Sequence, residues 1–218
     1  MSEERKSVRL AGRELGRTCH ACAFFHNREE EYRLLLPFFK EGFDRGEKAF
    51  QIVDPGHRQE RLQRLKEAGI DVDTATRTGQ LDLRTWEEAQ FRTGRFDQNA
   101  MLALIDEVLS SGKSGGYGLT RFWGNMEWAL ESIPGVEDLV EFETRVNDIV
   151  PKYDDAVVCA YDLNKFSASV VMEILRTHPM AIVGGILQDN PFYVPPDQLL
   201  RELRERRGQT AAGRPTSN

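Results

Sequence analysis

One stretch near the start of the chain, residues 17–55, constrains the fold more than any other part of the sequence. It begins with an apolar strand at 20–25, continues as an amphipathic helix that ends at Gly42 or Gly46, and closes with an apolar strand at 48–53. The apolar side chains of the helix recur at helical spacing. They are Tyr32, Leu35, Leu36, Phe39 and Phe43. A strand, a helix and a strand in this order indicate a βαβ unit.

The same alternation continues to the end of the chain. Further apolar strands are predicted at 118–124, 156–161 and 181–187, with a short strand at 80–83. The other predicted helices are 58–68, one capped by Asp97, 139–149, 166–177 and 197–207, with a helical turn at 85–89. Apolar strands that alternate with amphipathic helices are typical of a parallel sheet covered on both faces. The sequence therefore predicts a three-layer α/β/α sandwich with a mainly parallel central sheet.

The length indicates a single domain, because a chain of 218 residues can bury one full core. We expect residues 1–16 to be a loose lead-in and residues 17–207 to form the α/β domain. Residues 208–218 are rich in Gly, Thr, Pro and Ser, and we expect them to be a disordered tail.

Composition excludes several classes of function. The chain has 29 Lys and Arg against 35 Asp and Glu, a net charge of −6, which argues against direct binding of nucleic acid. No apolar run approaches the roughly 20 residues that a membrane helix needs, and no signal-peptide pattern opens the chain. Its 3 cysteines are odd in number, so a disulfide framework is not expected. These features favour a cytoplasmic protein without a membrane partner.

Ligands of parallel α/β sheets bind at the carboxyl ends of the strands. Seven candidate residues lie at or just beyond such ends: His26, Asn27, Asp54, Asn125, Glu127, Trp128 and Asp162. Tyr161 is an eighth, since with Trp128 it would form an aromatic wall if the two lie near the crevice. Asp54 and Asp162 have a common alternative use, because an aspartate after a strand often caps the following helix.

The first strand carries unusual chemistry, with His20 and Cys22 on one face. Together with Cys19 and His26 they suggest a metal site, since thiolate and imidazole suit zinc or iron. However, Cys19 points to the opposite face, and an extended strand from His20 to His26 spans roughly 20 Å. We therefore predict no metal ion and no cofactor. Two hypotheses remain for His20 and Cys22: a ligand-facing or redox-capable pair, or a buried cysteine beside a hydrogen-bonded histidine.

Nucleotide hydrolysis is not expected. Ser111 to Ser114 contain the Gly-Lys-Ser of a phosphate-binding loop, but Glu107 stands where its first glycine belongs, and the segment follows a helix instead of a strand. We interpret it as a loop. The turn after the first strand, residues 25–29, has no glycine.

Several segments together resemble a known family. They are HACAFF with REEEYRLLLPFFKEGFDRGEKAFQIVDP, RFDQNAML, GNMEWAL, PGVEDLVEFETRVND, CAYDLNKF and LRTHPMAIVGG with FYVPP. Over residues 17–196 they are similar to the MEDS domain, the methanogen/methylotroph, DcmR-type sensory domain. The resemblance implies a divergent RecA/KaiC-like fold that lacks the phosphate-binding loop, with His20-Ala21-Cys22 as its His-x-Cys motif. The chain departs from the family pattern in the segment that contains Asn125 and Glu127, where many relatives carry Gly-Glu-Met-Ser-Trp.

The resemblance further implies sensing of small hydrocarbon-derived molecules, with output through a kinase, an anti-anti-sigma component or a DNA-binding component. We therefore expect a ligand at the strand ends near His20 and Cys22, a signalling partner protein and a possible homo-oligomer. One alternative is an enzyme with Cys22 as nucleophile and His20 as base. The other is an interaction module that uses the last helix. The family fold would place the first strand between those at 156–161 and 181–187.

Overall fold

The computed structural model describes residues 8–15 and 19–212. The nine strands in these ranges are β1 (Arg9–Leu10), β2 (Arg13–Glu14), β3 (Cys19–Phe25), β4 (Lys48–Val53), β5 (Leu81–Thr85), β6 (Thr120–Asn125), β7 (Ala156–Asp162), β8 (Met180–Val183) and β9 (Ile186–Asp189). The seven α-helices there are α1 (Arg28–Asp44), α2 (Arg58–Glu67), α3 (Val72–Arg77), α4 (Gln98–Ser114), α5 (Leu139–Val146), α6 (Ala168–Thr177) and α7 (Pro196–Ala212).

Strands β3 to β9 form one sheet in the order β5-β4-β6-β7-β3-β8-β9. Every pair is parallel except β8 with β9. The first main strand, β3, lies between β7 and β8, as the RecA-like order requires. The three-layer α/β architecture and the predicted position of β3 are confirmed.

The alternation of side chains along β3 divides the core into two layers. Cys22 and Phe24 join a cluster with the apolar faces of α4, α5 and α6. Ala21, Ala23 and Phe25 join the opposite cluster with α1, α2 and α3. All seven residues of β3 are buried, because strands flank it on both sides and helices cover both faces.

The predicted strand at 181–187 is wrong as a single strand. Residues 180–189 form a two-stranded hairpin, with β9 antiparallel to β8. Its turn is Gly184-Gly185, with φ values of +58° and +78° that glycine adopts without steric cost. Because the residues on both sides of the glycines are apolar, the periodicity of the sequence alone does not indicate this turn.

The lead-in is ordered in the part that the structure describes. Residues 8–15 form the β1–β2 hairpin, whose Val8 and Leu10 are buried against the α1 side of the sheet. The Leu187 amide donates to the carbonyl of Ala11 at 3.3 Å, which ties the hairpin to β9. The prediction of a loose segment is therefore wrong for 8–15, and residues 1–7 and 16–18 lie outside the described ranges.

Three boundaries also differ from the predictions. Helix α7 extends to Ala212, so residues 208–212 are helical where a disordered tail was expected; residues 213–218 lie outside the described part. Ser111 to Ser114 form the last turn of α4 and not a loop. Residues 86–93 are turns, without the helical turn expected at 85–89. No helix within the described residues is long and apolar enough to cross a membrane.

Candidate functional site

Nine of the ten candidate residues fall into two separate places. Asn27, Asn125, Glu127 and Asp162 line a small polar cleft at the carboxyl edge of the sheet, and His26 precedes it on the exposed turn. The cleft has a volume of about 10 Å³ and is completed by Phe25, Arg28, Glu31 and Ala160. The other group lies in the interior and consists of His20, Cys22, Trp128 and Tyr161, all buried. Asp54 belongs to neither group.

At the edge, the first turn of α1 is closed by its own side chains. Asn27 Oδ1 accepts from the Glu30 amide at 2.9 Å, and Glu30 Oε2 accepts from the His26 amide at 2.9 Å. These two hydrogen bonds occupy the Glu30 and His26 amides at the turn where a phosphate-binding loop would present its amides to a nucleotide. Glu29, Glu30 and Glu31 add negative charge to the same turn. The Glu30 and His26 amides are therefore not free to bind a phosphate.

The remaining carboxyl-edge residues also have internal partners. Asp54 caps the short 3₁₀ helix Pro55–His57 and accepts from the Gly56 amide at 2.8 Å. Asp162 accepts from the Asn164 amide at 2.9 Å. Asn125 accepts from the Glu127 amide at 3.2 Å, and the Glu127 carboxylate pairs with Lys165. Asp54 thus serves the capping use that was its alternative, whereas Asp162 closes the turn that follows β7.

Four buried polar side chains meet in the core on the α5 side of the sheet. They are His20 from β3, Glu143 from α5, Cys159 from β7 and His178 from the turn between α6 and β8. Glu143 Oε2 lies 3.4 Å from His20 Nε2 and 3.3 Å from His178 Nε2. Cys159 Sγ lies 3.6 Å from Glu143 Oε2 and 3.8 Å from His20 Nε2. We call this set the histidine–glutamate–cysteine cluster.

The hydrogen-bond network fixes the tautomer of His20. Its Nδ1 lies 2.9 Å from Asn147 Oδ1. The side-chain nitrogen of Asn147 contacts the carbonyls of Glu143, Thr144 and Thr177 at 3.2, 3.1 and 2.7 Å. The side-chain oxygen of Asn147 is therefore the atom that faces His20. Since that oxygen only accepts, His20 Nδ1 carries the proton and the neutral ring presents a lone pair at Nε2.

His178 is held in the same way. Its Nδ1 lies 3.1 Å from the Ile174 carbonyl and 2.7 Å from Thr177 Oγ1, and the Thr177 hydroxyl donates to that same carbonyl at 2.8 Å. The carbonyl only accepts, so Nδ1 is its donor and Nε2 of the neutral ring carries a lone pair. Among the described residues, His178 Nε2 has no hydrogen-bond partner, although it lies 3.3 Å from Glu143 Oε2.

Burial and charge set the protonation of the cluster. Burial raises the pKa of Glu143, and positive charge on the side of the carboxylate that faces His178 and His20 holds that pKa well below its ordinary value. Tyr161 donates to the other carboxylate oxygen at 2.9 Å, which also favours the charged form. Burial, and next the proximity of His178, lower the pKa of His20. Burial and the Glu143 charge raise the pKa of the Cys159 thiol.

Cys22 lies beside the cluster without joining it. Its thiol donates weakly to the Met180 carbonyl at 3.7 Å, and the side chain is fully buried. Burial first, and then the Glu143 charge, raise its pKa well above the ordinary value. A nucleophilic cysteine needs a thiolate in a polar, partly exposed environment. This environment disfavours the hypothesis that Cys22 is a nucleophile with His20 as its base.

An apolar cavity of about 20 Å³ adjoins the cluster beneath the carboxyl ends of β4 and β6. Its lining is Ile52, Gln90, Met101, Ile105, Phe122, Gly124, Met126, Phe142, Glu143, Val146, Val157 and Cys159. Gln90 is buried, and its Oε1 has no hydrogen-bond partner within the described ranges. Trp128 lies outside this lining and stacks on Phe96, with ring centroids 4.3 Å apart.

Sequence reasoning missed Glu143, Cys159, His178 and Gln90 as candidates. Glu143 follows Leu139 by four residues, so helical periodicity places it on the buried face, and a buried carboxylate needs a partner. That signal was available. Cys159 alternates with Val157 and Tyr161 on an inward face, but nothing local distinguishes it from a core cysteine. His178 and Gln90 lie in irregular segments with no periodicity to read.

The fold and the strand order define the class of this protein. Among solved structures, it is similar to a KaiC-like protein, PH0186, from the hyperthermophilic archaeon Pyrococcus horikoshii OT3. The TM-score is 0.55 at 11% identity, over 75% of this chain and 69% of that chain. The chain thus has a RecA/KaiC-like α/β fold.

Within that class, the model of the MEDS family, the MEthanogen/methylotroph, DcmR Sensory domain, matches residues 19–179, and the chain belongs to this family. A curated relative, the transcriptional repressor DcmR of Methylorubrum extorquens (strain DSM 6343 / CIP 106787 / DM4), is 25% identical over 172 residues. The match covers 78% of this chain but 62% of the repressor. Membership of the family and this relative support a sensory or regulatory role.

Proposed function

We propose that this chain is a cytoplasmic sensor domain that binds a small, largely apolar molecule and passes the signal to a partner protein. The sensory description of its family and the match to a repressor support the regulatory half of the proposal. The partner would be a kinase, an anti-anti-sigma component or a DNA-binding component, or a second copy of this chain. The ligand would be hydrocarbon-derived.

The proposal for the ligand rests on the apolar cavity beneath β4 and β6. Small-molecule sites are mostly apolar, with a few polar groups that fix orientation. Here the unpartnered Gln90 Oε1 would accept from a donor on the ligand, and Glu143 and Cys159 border the same space. A cavity of about 20 Å³ holds about one water-sized group, so its lining would have to move to admit a molecule of a few heavy atoms. The polar carboxyl-edge cleft of Asn27 and Asp162 is the second location.

Helix α5 offers a route from this cavity to the surface. Phe142, Glu143 and Val146 line the cavity, whereas Glu141 on the same helix pairs with Arg207 of α7 at 2.7 Å. Arg207 also pairs with Asp138 at 2.8 Å. A ligand that displaces α5 would therefore change the anchoring of α7, the helix that is available to a partner.

A titration of the isotope-labelled chain with one- to three-carbon haloalkanes and alcohols, followed by NMR, tests the ligand site. We expect saturable shifts at amides around Phe122, Met126 and Phe142. Ligand at a hundredfold excess over its Kd should raise the free energy of unfolding by about 2.7 kcal/mol. Shifts confined to Asn27, Asn125 and Asp162 would instead locate the site at the carboxyl edge. Absence of saturable shifts with every compound would contradict the proposal.

The variant Gly124→Ala tests whether the ligand binds in the cavity, and a second glycine provides a matched control. The added Cβ would enter the cavity lining, 3.3 Å from Phe122 Cε1 and 3.6 Å from Met126 Sδ. The control is Gly118→Ala, at an exposed glycine with no atom within 4 Å of the added Cβ. Neither glycine has a φ in the left-handed region, so alanine fits both backbones. We expect Gly124→Ala to weaken binding at least about tenfold and the control to leave it unchanged.

A further inference from the structure

We propose that the histidine–glutamate–cysteine cluster binds a zinc ion. Its ligand atoms are His20 Nε2, Glu143 Oε2, Cys159 Sγ and His178 Nε2, which all lie within 4.8 Å of one another. Zinc binds nitrogen, oxygen and thiolate sulfur in a tetrahedral arrangement whose ligand atoms lie about 3.3–3.6 Å apart. Four of the six separations in the cluster are 3.3, 3.4, 3.6 and 3.8 Å.

The direction of the ring protons supports a cation at the centre. Asn147 and the Ile174 carbonyl hold the Nδ1 protons of His20 and His178, so both Nε2 lone pairs face the Glu143 carboxylate. Lone pairs that face a carboxylate repel it unless a cation lies between them. Anchoring of the second ring nitrogen by a carbonyl or amide oxygen is the arrangement that zinc-bound histidines use. His178 Nε2, fully buried and without a hydrogen-bond partner in the described residues, is the plainest sign.

Charge balance points the same way. The Glu143 carboxylate is fully buried, and a buried charge needs a compensating partner. A zinc ion with one carboxylate, one thiolate and two neutral imidazoles is electrically neutral. Zinc would also bind Cys159 as a thiolate, although burial by itself raises the pKa of this thiol.

This site differs from the metal motif that the sequence suggests. Of the four residues of that motif, Cys19, His20, Cys22 and His26, only His20 belongs to the cluster. The ligands instead come from β3, α5, β7 and the turn after α6, so one ion would join the two central strands to the helical layer. Four protein ligands leave no open position, as in structural zinc sites. The inference does not depend on the proposed ligand.

The first experiment measures metal in the untagged full chain, purified without chelators from cells grown with added zinc. We expect about one zinc per chain by elemental mass spectrometry. The metal-free chain, reconstituted with Co²⁺, should show visible bands of tetrahedral cobalt and an ultraviolet thiolate-to-cobalt band. A wild-type chain that retains no zinc and gives no thiolate-to-cobalt band would overturn the proposal without reference to any variant.

Two cysteine variants then locate the thiolate ligand. Cys159 and Cys22 are buried and lie opposite each other in the register of β7 and β3. Cys159→Ser should abolish the thiolate-to-cobalt band and weaken zinc binding at least about tenfold, whereas Cys22→Ser should retain both. Circular dichroism checks that each variant is folded. Loss of the band in Cys22→Ser with its retention in Cys159→Ser would overturn the assignment.

A positioning variant separates zinc binding from packing alone. Asn147 contacts His20 but is not itself a ligand in the cluster. Asn147→Ala should weaken zinc binding about 10–100-fold while the cobalt spectrum keeps its tetrahedral form. An unchanged zinc affinity would show that the orientation of His20 does not serve a metal, and would count against the site.

Discussion

The buried carboxylate of Glu143 is the residue on which the interior polar network depends. Its two oxygens contact Tyr161, Cys159, His20 and His178, and the side chain is fully buried. Removing one member of a buried ionic network leaves the others without a partner, which costs more than the interaction itself contributes.

Glu143→Gln should therefore lower the free energy of unfolding by about 3–5 kcal/mol. Glu141→Gln, two residues away on the partly exposed side of α5, is the control; its pair with Arg207 is a surface ion pair worth about 1 kcal/mol or less. Denaturant unfolding of both variants measures the difference. Equal losses for the two would contradict the importance assigned to the network.

His20 and Cys22, adjacent on one face of β3, should respond differently to truncation. Cys22→Ala removes one weakly bonded thiol from an apolar site and should cost about 1–2 kcal/mol. His20→Ala leaves Asn147 and Glu143 without a partner in a buried site and should cost about 3 kcal/mol or more. Thermal and denaturant melts of the two variants give the comparison. A larger loss for Cys22→Ala would reverse the assignment of roles.

The third cysteine, Cys19, gives a prediction of pH dependence. Burial, only partly opposed by the Arg13 charge, raises the pKa of its thiol from 9.0 to about 12. In the window between these values the unfolded chain loses the thiol proton and the folded chain keeps it. The folded state then binds more protons, so stability is full below pH 9 and falls as the pH rises through this window. Alkylation at pH 9, read at the Cys19 peptide by mass spectrometry, should be slow in the native chain and fast in denaturant.

At the scale of elements, local patterns predict most strands of the main sheet, most of the described helices and the amino-terminal cap of α1, but neither α3 nor the β1–β2 hairpin. Asn27 and the three following glutamates indicate the start of α1, and in the structure the Asn27 side chain caps this helix. Local patterns could not distinguish the β8–β9 hairpin from a single strand. Met180 to Leu187 is apolar on both sides of Gly184-Gly185, so a buried strand with two glycines and a tight turn have the same composition.

The closed first turn of α1 predicts the absence of nucleotide binding. Asn27 and Glu30 occupy the amides of the turn, and Glu31 lines the cleft where phosphates would lie. Calorimetric titration should detect no Mg-ATP affinity in the micromolar range, because backbone donors and a lysine are both missing from this turn. Tight binding of Mg-ATP would require a new account of Asn125, Glu127 and Asp162.

At the scale of the whole molecule, the position of β3 in the sheet could be predicted and the polar contacts in the core could not. The family resemblance gives the position of β3, and alternation gives the inward face of each strand. The meeting of His20 with Cys159 and Asn147, however, joins residues 139 and 127 positions apart. It depends on the pairing register of β3 with β7 and on the rotation of α5, which periodicity leaves open. The candidate residues at the carboxyl edge were therefore found from sequence, while most of the interior cluster was not.

The same topology predicts how stability is distributed across the sheet. Strands β3 and β7 have partner strands on both sides, whereas β5 pairs only with β4 among the described strands. Opening an edge strand breaks one ladder of hydrogen bonds, and opening a central strand breaks two and exposes both core layers. Amide hydrogen exchange of the native chain should thus be slowest at Ala21 to Ala23 and Val158 to Ala160. Exchange at Leu83 should be at least about tenfold faster, equivalent to about 1.4 kcal/mol of opening free energy. Equal protection of β5 and β3 would mean that the sheet opens as one unit, and the special stability of its centre would have to be abandoned.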